Sequence, residues 1–187
     1  YATSDSPPPS AWAGATSTYG TGALPRSSWS HLTVTVGGGV QRLYVDGTQV
    51  AQSPASGAVA TEGPFRIGGN SVWATEFFKG KIDEVRVYDR TLSPDEVRAD
   101  RDRGIGGGEP APDPDPPSDA VAAWSFDESS GTVAHDATSN GHDGTVRGAT
   151  WAPGRYGNGL RFDGVDDWVT IADHDDLDLG APYTLSA

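Results

Sequence analysis

The chain has no cysteine, few basic residues and no long hydrophobic segment, and each absence excludes a class of protein. Without Cys there is neither a disulfide nor a thiolate metal site. The 187 residues include 13 Lys and Arg against 26 Asp and Glu, so the net charge is -13 and nucleic-acid phosphates would be repelled. No apolar run approaches the roughly 18 residues that span a bilayer, so we expect no membrane insertion.

The residues that are abundant favour a β-rich protein. There are 25 Gly and 14 Pro, hydrophobic residues make up 35% of the chain, and Trp occurs 6 times. This composition is typical of short strands joined by many turns rather than of helices.

Residues 80–90 predict one long strand, and it carries an unusual acid. From Asp83 onward the side chains alternate, so Asp83, Val85 and Val87 share one face of the predicted strand. A buried carboxylate without a partner is costly, so Asp83 needs either a hydrogen-bond donor or a cation.

A short helix is predicted directly after this strand. Ser93 is a suitable N-cap, Pro94 suits the first helical position, and Glu96 completes a capping box. We expect a surface helix near 94–101 that turns Val97 inward.

Two hairpins are predicted from turn residues between alternating segments. Asp46-Gly47 is a strong signal for a two-residue hairpin turn within a meander at 32–51. Residues 160–163 and 168–171 predict a second hairpin across 164–167.

A linker divides the chain. Residues 104–119 begin with a flexible Gly-rich part and continue with an extended, self-repelling Pro-Asp part. We therefore expect two folding pieces, residues 1–103 and residues 120–187.

Four motifs after the linker resemble the first half of a laminin-G-like domain of the concanavalin A-like lectin/glucanase superfamily. They occur in the family's order, which makes the resemblance fairly specific. The motifs are Trp124–Glu128 (WSFDE), Ser139–Thr145 (SNGHDGT), Gly157–Gly164 (GNGLRFDG) and Tyr183–Ala187 (YTLSA).

Four motifs before the linker resemble the second half of the same kind of domain, so the two halves occur in reversed order. Residues 1–103 look like a C-terminal half and residues 120–187 like an N-terminal half. The motifs are Trp29–Leu32 (WSHL), Leu43–Gly47 (LYVDG), Phe65–Gly69 (FRIGG) and Ile82–Tyr88 (IDEVRVY).

The resemblance implies an all-β fold, a two-sheet antiparallel jelly-roll sandwich with one short surface helix near 94–101. Two arrangements stay open. The chain could end one domain of a tandem array and begin the next, or the two pieces could complement each other, in one chain or between chains. Neither piece alone should bury a two-sheet core, so we expect an ordered structure in which both pieces pack together.

Four oxygen-bearing side chains are candidate ligands of a structural Ca²⁺, namely Asp83, Asp127, Asn140 and Asp143. Ca²⁺ accepts carboxylate, amide and carbonyl oxygens in flexible geometry. The resemblance implies a calcium ion at about this edge, since similar domains often carry one. The alternative is that these residues form Asx turns and internal hydrogen bonds.

Catalysis is not expected. Glycosidases on this fold set paired carboxylates on one strand in the pattern Glu-x-Asp-x-x-Glu, which is absent here. The adjacent pairs Asp83-Glu84 and Asp166-Asp167 should point to opposite faces, which does not suit a mechanism with two carboxylates.

Aromatic residues are the remaining candidates for ligand binding, with Trp73 and the preceding Asn70 as the predicted ligand-binding residues. Core packing is the commoner fate of Trp and Phe in a sandwich, and we expect Trp124 in the core. The aromatic residues that could stack on sugar rings if exposed are Trp12, Trp73, Phe77, Phe78, Trp151 and Trp168.

These observations favour a non-catalytic carbohydrate-binding or adhesion module of a larger secreted or cell-surface bacterial protein. Its partner would be a glycan or a cell-surface or matrix protein. The alternative is a structural repeat unit that self-associates when half-domains of different chains complement each other.

Overall fold

The computed structural model describes residues 8–13, 16–26, 28–55, 63–70, 76–105 and 119–187. Within them the chain is all-β apart from one α-helix and one short 3-10 helix. The elements in chain order are β1 (Ser10–Ala13), β2 (Thr16–Tyr19), β3 (Leu32–Gly37), β4 (Val40–Val45), β5 (Thr48–Pro54), β6 (Phe65–Ile67), β7 (Lys79–Ile82), β8 (Val85–Tyr88), α1 (Pro94–Arg101), β9 (Ala122–Trp124), β10 (Val133–Ala134), β11 (Gly144–Arg147), β12 (Thr150–Pro153), β13 (Asn158–Asp163), β14 (Trp168–Ile171), a 3-10 helix (Asp175–Leu177) and β15 (Tyr183–Ser186).

The chain forms two compact units, and each contains residues from both sides of the linker. The first unit consists of Tyr1–Glu62, Val87–Arg103 and Asp176–Ala187, and the second of Gly63–Arg86 and Gly104–Asp175. Strands that precede the linker thus pair with strands that follow it. The predicted boundaries of two half-domains stay a prediction.

The first unit contains the predicted meander. Strands β3, β4 and β5 are antiparallel neighbours, and the hairpin at Asp46-Gly47 is confirmed. Asp46 has φ 51° and Gly47 has φ 75°, the two positive φ values of the type I′ turn that suits a twisted hairpin.

The last strand of the chain extends this meander. Strand β15 pairs antiparallel with β3, with Tyr183 opposite Val36 and Ser186 opposite Thr33. Backbone hydrogen bonds between Leu32 and Ala187, of 2.8 and 3.0 Å, continue the ladder one residue past the end of β15. Residues that follow the linker thus complete a sheet formed by residues that precede it.

The predicted helix is confirmed as α1. Ser93 caps it, with its side chain accepting from the N–H of Glu96 while the Glu96 carboxylate accepts from the N–H of Ser93. Val97 is fully buried. No helix within the described residues is long and apolar enough to cross a membrane.

Asp100 ties the helix to two strands of the first unit. It is 4% exposed, and its carboxylate accepts hydrogen bonds of 2.6 Å from the Tyr88 hydroxyl and from the Ser186 hydroxyl. The His31 imidazole Nε2 lies 3.6 Å from the same carboxylate. A buried carboxylate with these partners holds α1, β8 and β15 together.

The second unit contains two antiparallel sheets, ordered β10-β11-β14-β6 and β12-β13-β7. The predicted hairpin between residues 160–163 and 168–171 is wrong, because β13 pairs with β12 and β7, whereas β14 pairs with β11 and β6. Alternation shows which face of a strand is apolar but does not identify its partner.

The single strand predicted at residues 80–90 is also wrong. It is broken between β7 and β8 at Glu84, whose φ of 60° is left-handed. All four residues of β8 are buried, so its alternation does not separate an inner from an outer face. The break gives the carboxylates of Asp83 and Glu84 separate sets of hydrogen-bond donors.

Trp124 lies in the core of the second unit, as predicted. It is fully buried, its ring stacks on Phe65 with centroids 6.0 Å apart, and its indole N–H donates to the His142 carbonyl oxygen at 2.9 Å. Its strand, β9, ends at Trp124.

Tyr183 gives the first unit a pH-dependent stability. It is 3% exposed, and burial raises the pKa of its phenol from 10.0 to about 12. This contribution to stability is present below the unfolded pKa and is lost as the pH rises through the folded pKa.

We expect the free energy of unfolding to fall as the pH rises from 10.0 to about 12, and to fall less in the Tyr183→Phe variant. Urea unfolding across this range measures the effect, and identical pH profiles would contradict it.

Candidate functional site

Asp83 is fixed by the turn Gly154–Asn158, which leads from β12 into β13. Its Oδ2 accepts hydrogen bonds from the backbone N–H groups of Arg155 and Tyr156, at 2.6 and 3.0 Å. Its Oδ1 is buried and has no hydrogen-bond partner among the residues that the structure describes. One oxygen of this inward acid is therefore satisfied, and the other is not.

Asp127 binds the same turn from the end of β9. Its Oδ1 accepts from the N–H of Asn158 at 2.7 Å, and the Asn158 side-chain amide donates to the Asp127 carbonyl oxygen at 3.1 Å. Gly157 has φ 55°, and a Cβ at this position would overlap Asp127 Oδ1. A residue with a side chain at position 157 would separate the acid from the turn.

The two acids are electrostatically linked. Burial raises the pKa of Asp83 to about 6, the N–H groups of Tyr156 and Arg155 act in the opposite direction, and the negative charge of Asp127 adds to the rise. Two carboxylates that repel each other at one turn form an arrangement that a cation would stabilise.

Glu84 points to a different set of partners. Its Oε2 accepts from the Arg86 guanidinium at 2.9 Å and from the Ile105 N–H at 2.5 Å. Burial raises the pKa of Glu84 to about 8, although Arg86 and the Ile105 N–H both favour the charged form. The Glu84–Arg86 pair fixes the chain where β7 ends and β8 begins.

Asn140 and Asp143 stabilise the loop that precedes β11. The Asn140 amide N–H donates to the Val121 carbonyl oxygen at 2.7 Å. Asp143 Oδ1 accepts from the N–H of Asp136 at 2.9 Å, and its Oδ2 lies 3.2 Å from His135 Nδ1. Both side chains make the internal loop contacts of the alternative interpretation.

Asp136, which was not among the predicted site residues, is the central acceptor of this loop. It accepts from the N–H groups of Ala123 and Thr138 at 3.0 Å, from the N–H of His142 at 3.0 Å and from the Thr138 hydroxyl at 2.7 Å. Burial alone would raise the pKa of Asp136, but these hydrogen bonds hold the pKa below its usual value. The sequence Asp-x-Thr is an Asx-turn signal that could have identified it.

The four predicted calcium ligands thus fall into two pairs, Asp83 with Asp127 at the turn and Asn140 with Asp143 in the loop. Within the described part of the chain, no cluster of three His, Asp or Glu side chains that could share an ion includes Asp83, Asp127 or Asp143. The first pair fits Ca²⁺ better, because Asp83 offers a buried oxygen without a partner and Ca²⁺ is bound by carboxylate and carbonyl oxygens.

A second feature lies on the solvent face of the β10-β11-β14-β6 sheet. Phe77 stacks on Trp168 with centroids 5.9 Å apart and an interplanar angle of 20°. The guanidinium carbons of Arg66 and Arg147 lie 5.0 and 4.7 Å from the centroid of the Trp168 ring. We call Arg66, Phe77, Arg147 and Trp168 the Trp168 cluster.

Alternation within the sheet shows that this face is the outer one. Val146, Val169 and Ile171 are buried, whereas Thr145 and Arg147, on the other face of β11, are exposed. Trp168 itself is partly exposed.

Asn70 lies in the sequence between Arg66 and Phe77, two members of the Trp168 cluster. Its backbone N–H donates to the Glu76 carbonyl oxygen at 3.2 Å, and its side-chain amide donates to the Glu76 carboxylate at 2.7 Å. Gly69 forms a β-bridge with Phe77. Trp73, the other predicted ligand-binding residue, lies outside the described residues.

The other aromatic candidates have structural contacts or lie outside the description. Phe78 packs edge-on against Phe162, with centroids 6.2 Å apart, and the Trp151 indole N–H donates to the Gly131 carbonyl oxygen at 3.0 Å. The side chain of Trp12 is outside the described part of the chain. The arginines of the Trp168 cluster were not predicted, because no sequence signal pairs β11 with β14.

Replacement of Asp136 tests its role in the loop. We expect Asp136→Asn to lose about 1–3 kcal/mol of unfolding free energy, because an amide NH₂ would face backbone N–H groups. Asp175→Asn, at an exposed position, should change the free energy little. Because the pKa of Asp136 is lowered in the folded state, the difference between wild type and Asp136→Asn should shrink as the pH falls through that pKa. Urea unfolding measures it, and equal losses in both variants would contradict the assignment.

Comparison with known proteins identifies the family. A laminin G family model, described as the concanavalin A-like lectin/glucanases superfamily, matches residues 3–98, just over half of the chain. No curated protein and no solved structure gave a significant match. The match, together with the antiparallel sheets of the described residues, shows that this chain belongs to the laminin G family of the concanavalin A-like lectin/glucanases superfamily and has its all-β jelly-roll sandwich fold.

Proposed function

We propose that the protein is a non-catalytic carbohydrate-binding module and that its glycan-binding surface is the Trp168 cluster together with Asn70. The family supports a carbohydrate-binding or adhesion type of module. The observation that supports this particular surface is the stacked pair Phe77 and Trp168 on a solvent face. Phe77 directly follows Glu76, which is hydrogen-bonded to Asn70.

The chemistry of this surface suits a sugar. Aromatic side chains provide a rigid apolar surface on which the C–H faces of a pyranose ring can pack. Asn70 and the exposed Thr145 add polar groups for sugar hydroxyls. Trp73 would add a further ring on the segment that begins at Asn70.

The acids of the second unit support a non-catalytic role. Asp83 and Asp127 bind a turn, and Glu84 is paired with Arg86. Acids used in this way maintain structure, whereas a glycosidase needs two carboxyl groups that face one sugar. Domains of this family are usually extracellular, and we propose a secreted or cell-surface location on that ground.

Glycan binding can be tested with three matched variants. We expect Trp73→Ala and Phe77→Leu each to lower affinity for the bound glycan by roughly tenfold, because each removes a stacking ring. Trp29→Ala removes a Trp that is 38% exposed in the first unit and should leave the affinity unchanged. A glycan array followed by calorimetry measures this. No binding to any glycan, or equal losses in all three variants, would contradict the proposal.

We also propose a structural Ca²⁺ at the Gly154–Asn158 turn. Asp83 and Asp127 would hold it, with Asp83 contributing the buried Oδ1 that has no hydrogen-bond partner in the described chain. Bound Ca²⁺ would neutralise the repulsion between the two carboxylates. The side chains themselves position the turn through its N–H groups.

Thermal unfolding tests the calcium proposal. Ca²⁺ at about 100 times its dissociation constant should add about 2.7 kcal/mol to the unfolding free energy. EDTA should reverse this gain, and Asp127→Asn should reduce it, whereas the exposed Asp175→Asn should retain it. A melting temperature of the wild type that EDTA and Ca²⁺ both leave unchanged would refute the proposal.

Self-assembly is a second candidate function, and strand pairing across the linker favours it. Strands β7 and β6, before the linker, pair with β13 and β14, after it. The same pairings could form between chains if the halves exchanged. Light scattering that shows multimers at increasing concentration, unaffected by any glycan, would support this function over glycan binding.

A further inference from the structure

The Trp168 cluster concentrates positive charge on an acidic protein. The chain has a net charge of -13, yet two guanidinium groups lie against one indole ring. Among the described residues, neither Arg66 nor Arg147 forms an ion pair with a carboxylate. Arg66 Nε is also buried without a hydrogen-bond partner in the part of the chain that the structure describes.

The indole ring positions both cations before any ligand arrives. A guanidinium over a Trp face is attracted by the negative face of the ring and loses rotational freedom there. The Trp168 ring is held in turn by Phe77, and the two side chains approach closely over Gly69, where a Cβ would lie 3.1 Å from Trp168 Cβ and 3.4 Å from the Phe77 ring. Groups that are already ordered cost less entropy on binding.

We propose that the Trp168 cluster binds a carboxylated sugar, that is, a uronic acid residue within a glycan chain. The inference rests on the proposed glycan-binding function and adds the class of sugar. In this proposal the carboxylate binds the guanidiniums that the Trp168 ring positions, and the remainder of the sugar lies along the neighbouring strands.

The geometry of the guanidinium group favours a carboxylate. Arginine presents paired N–H donors in a planar fork that matches the two oxygens of a carboxylate. A neutral sugar over the same groups would desolvate both cations without compensating charge, which is costly.

The strands beside the cluster supply neutral polar groups for the rest of the ring. Thr170 of β14 lies opposite Thr145 of β11 on one side and Arg66 of β6 on the other. This row of two hydroxyls and one guanidinium crosses the outer face of the sheet. Sugar hydroxyls next to the carboxylate would find donors and acceptors there.

The acidic turn before Trp168 does not occupy these arginines. Asp163 Oδ1 accepts from the N–H of Val165, and Asp167 Oδ2 accepts from the N–H of Asp163, both at 2.7 Å. Asp167 is 5% exposed. These two carboxylates accept hydrogen bonds within their own turn, and among the described residues neither forms an ion pair with Arg66 or Arg147.

Calorimetry with a matched pair of ligands tests the proposal. The probe is an oligogalacturonate, and its control is the same oligosaccharide with its carboxyl groups methyl-esterified, which keeps the sugar and removes the charge. We expect the free acid to bind at least about tenfold more tightly than the ester and its affinity to fall with added salt.

Arginine variants assign the binding to the cluster. Arg147→Gln and Arg66→Gln should each weaken binding of the free acid by about tenfold. Arg147→Lys and Arg66→Lys, which keep the charge but lose the planar fork, should lose part of the affinity even if the Gln variant of Arg66 folds poorly. Arg161→Gln removes an exposed arginine of β13 and should bind like the wild type.

The outcomes separate the two proposals. Equal affinity for the free acid and the ester, or equal losses for Arg161→Gln and Arg147→Gln, would overturn the carboxylated-sugar site while leaving glycan binding intact. Equal binding of poly-aspartate or of a sulfated glucan through the same arginines would also overturn it, because the cluster would then be a general anion surface. Binding to no glycan of any charge would instead remove the proposed function itself.

Discussion

Hydrogen bonds from the Gly154–Asn158 turn to two acids are the constraint on which the second unit depends. Asp83 and Asp127 come from opposite sides of the linker, and each accepts backbone N–H groups of this one turn. Carboxylates removed from water must be satisfied. The chain therefore breaks at Glu84 with a positive φ and places glycine at position 157, where a side chain would collide with Asp127.

Strand pairing follows from the same constraint. Strand β13 begins at Asn158, the last residue of the turn, and pairs with β7, which ends just before Asp83, so that Leu160 lies opposite Ile82. The first unit is completed in a comparable way by β15, which pairs with β3 and shares Asp100 with α1 through Ser186. In both units a strand that follows the linker pairs with a strand that precedes the linker.

Two tryptophans of the second unit have different surroundings: Trp124 is buried in the core, whereas Trp168 lies on the proposed binding surface. Trp124 is fully buried and stacked on Phe65, so it serves the core of the second unit. Trp168 lies on the outer face of its sheet, where it holds two cations instead of an apolar neighbour on every side. This position of the Trp168 ring is the basis of the proposed glycan-binding surface.

Features that depend on a few adjacent residues could be predicted from the sequence. Asp46-Gly47 specifies its hairpin turn because only a short polar residue and glycine adopt the two positive φ values at low cost. Ser93 and Glu96 specify the start of the helix, because their side chains satisfy N–H groups of the same turn. The inward acid at Asp83 was also visible, since its strand pattern placed a carboxylate among valines.

The sequence by itself thus determined the family, the all-β class, the capped helix, the meander and the burial of Trp124. Only the tertiary structure decided that β13 and β14 lie in different sheets, that Glu84 breaks a strand, and that Arg66 and Arg147 meet on Trp168. The physical reason is the distance along the chain between the residues that interact. Turns and caps are settled by bonds between neighbouring residues, whereas strand partners are chosen by burial and hydrogen bonding between residues far apart in the chain, which alternation does not encode.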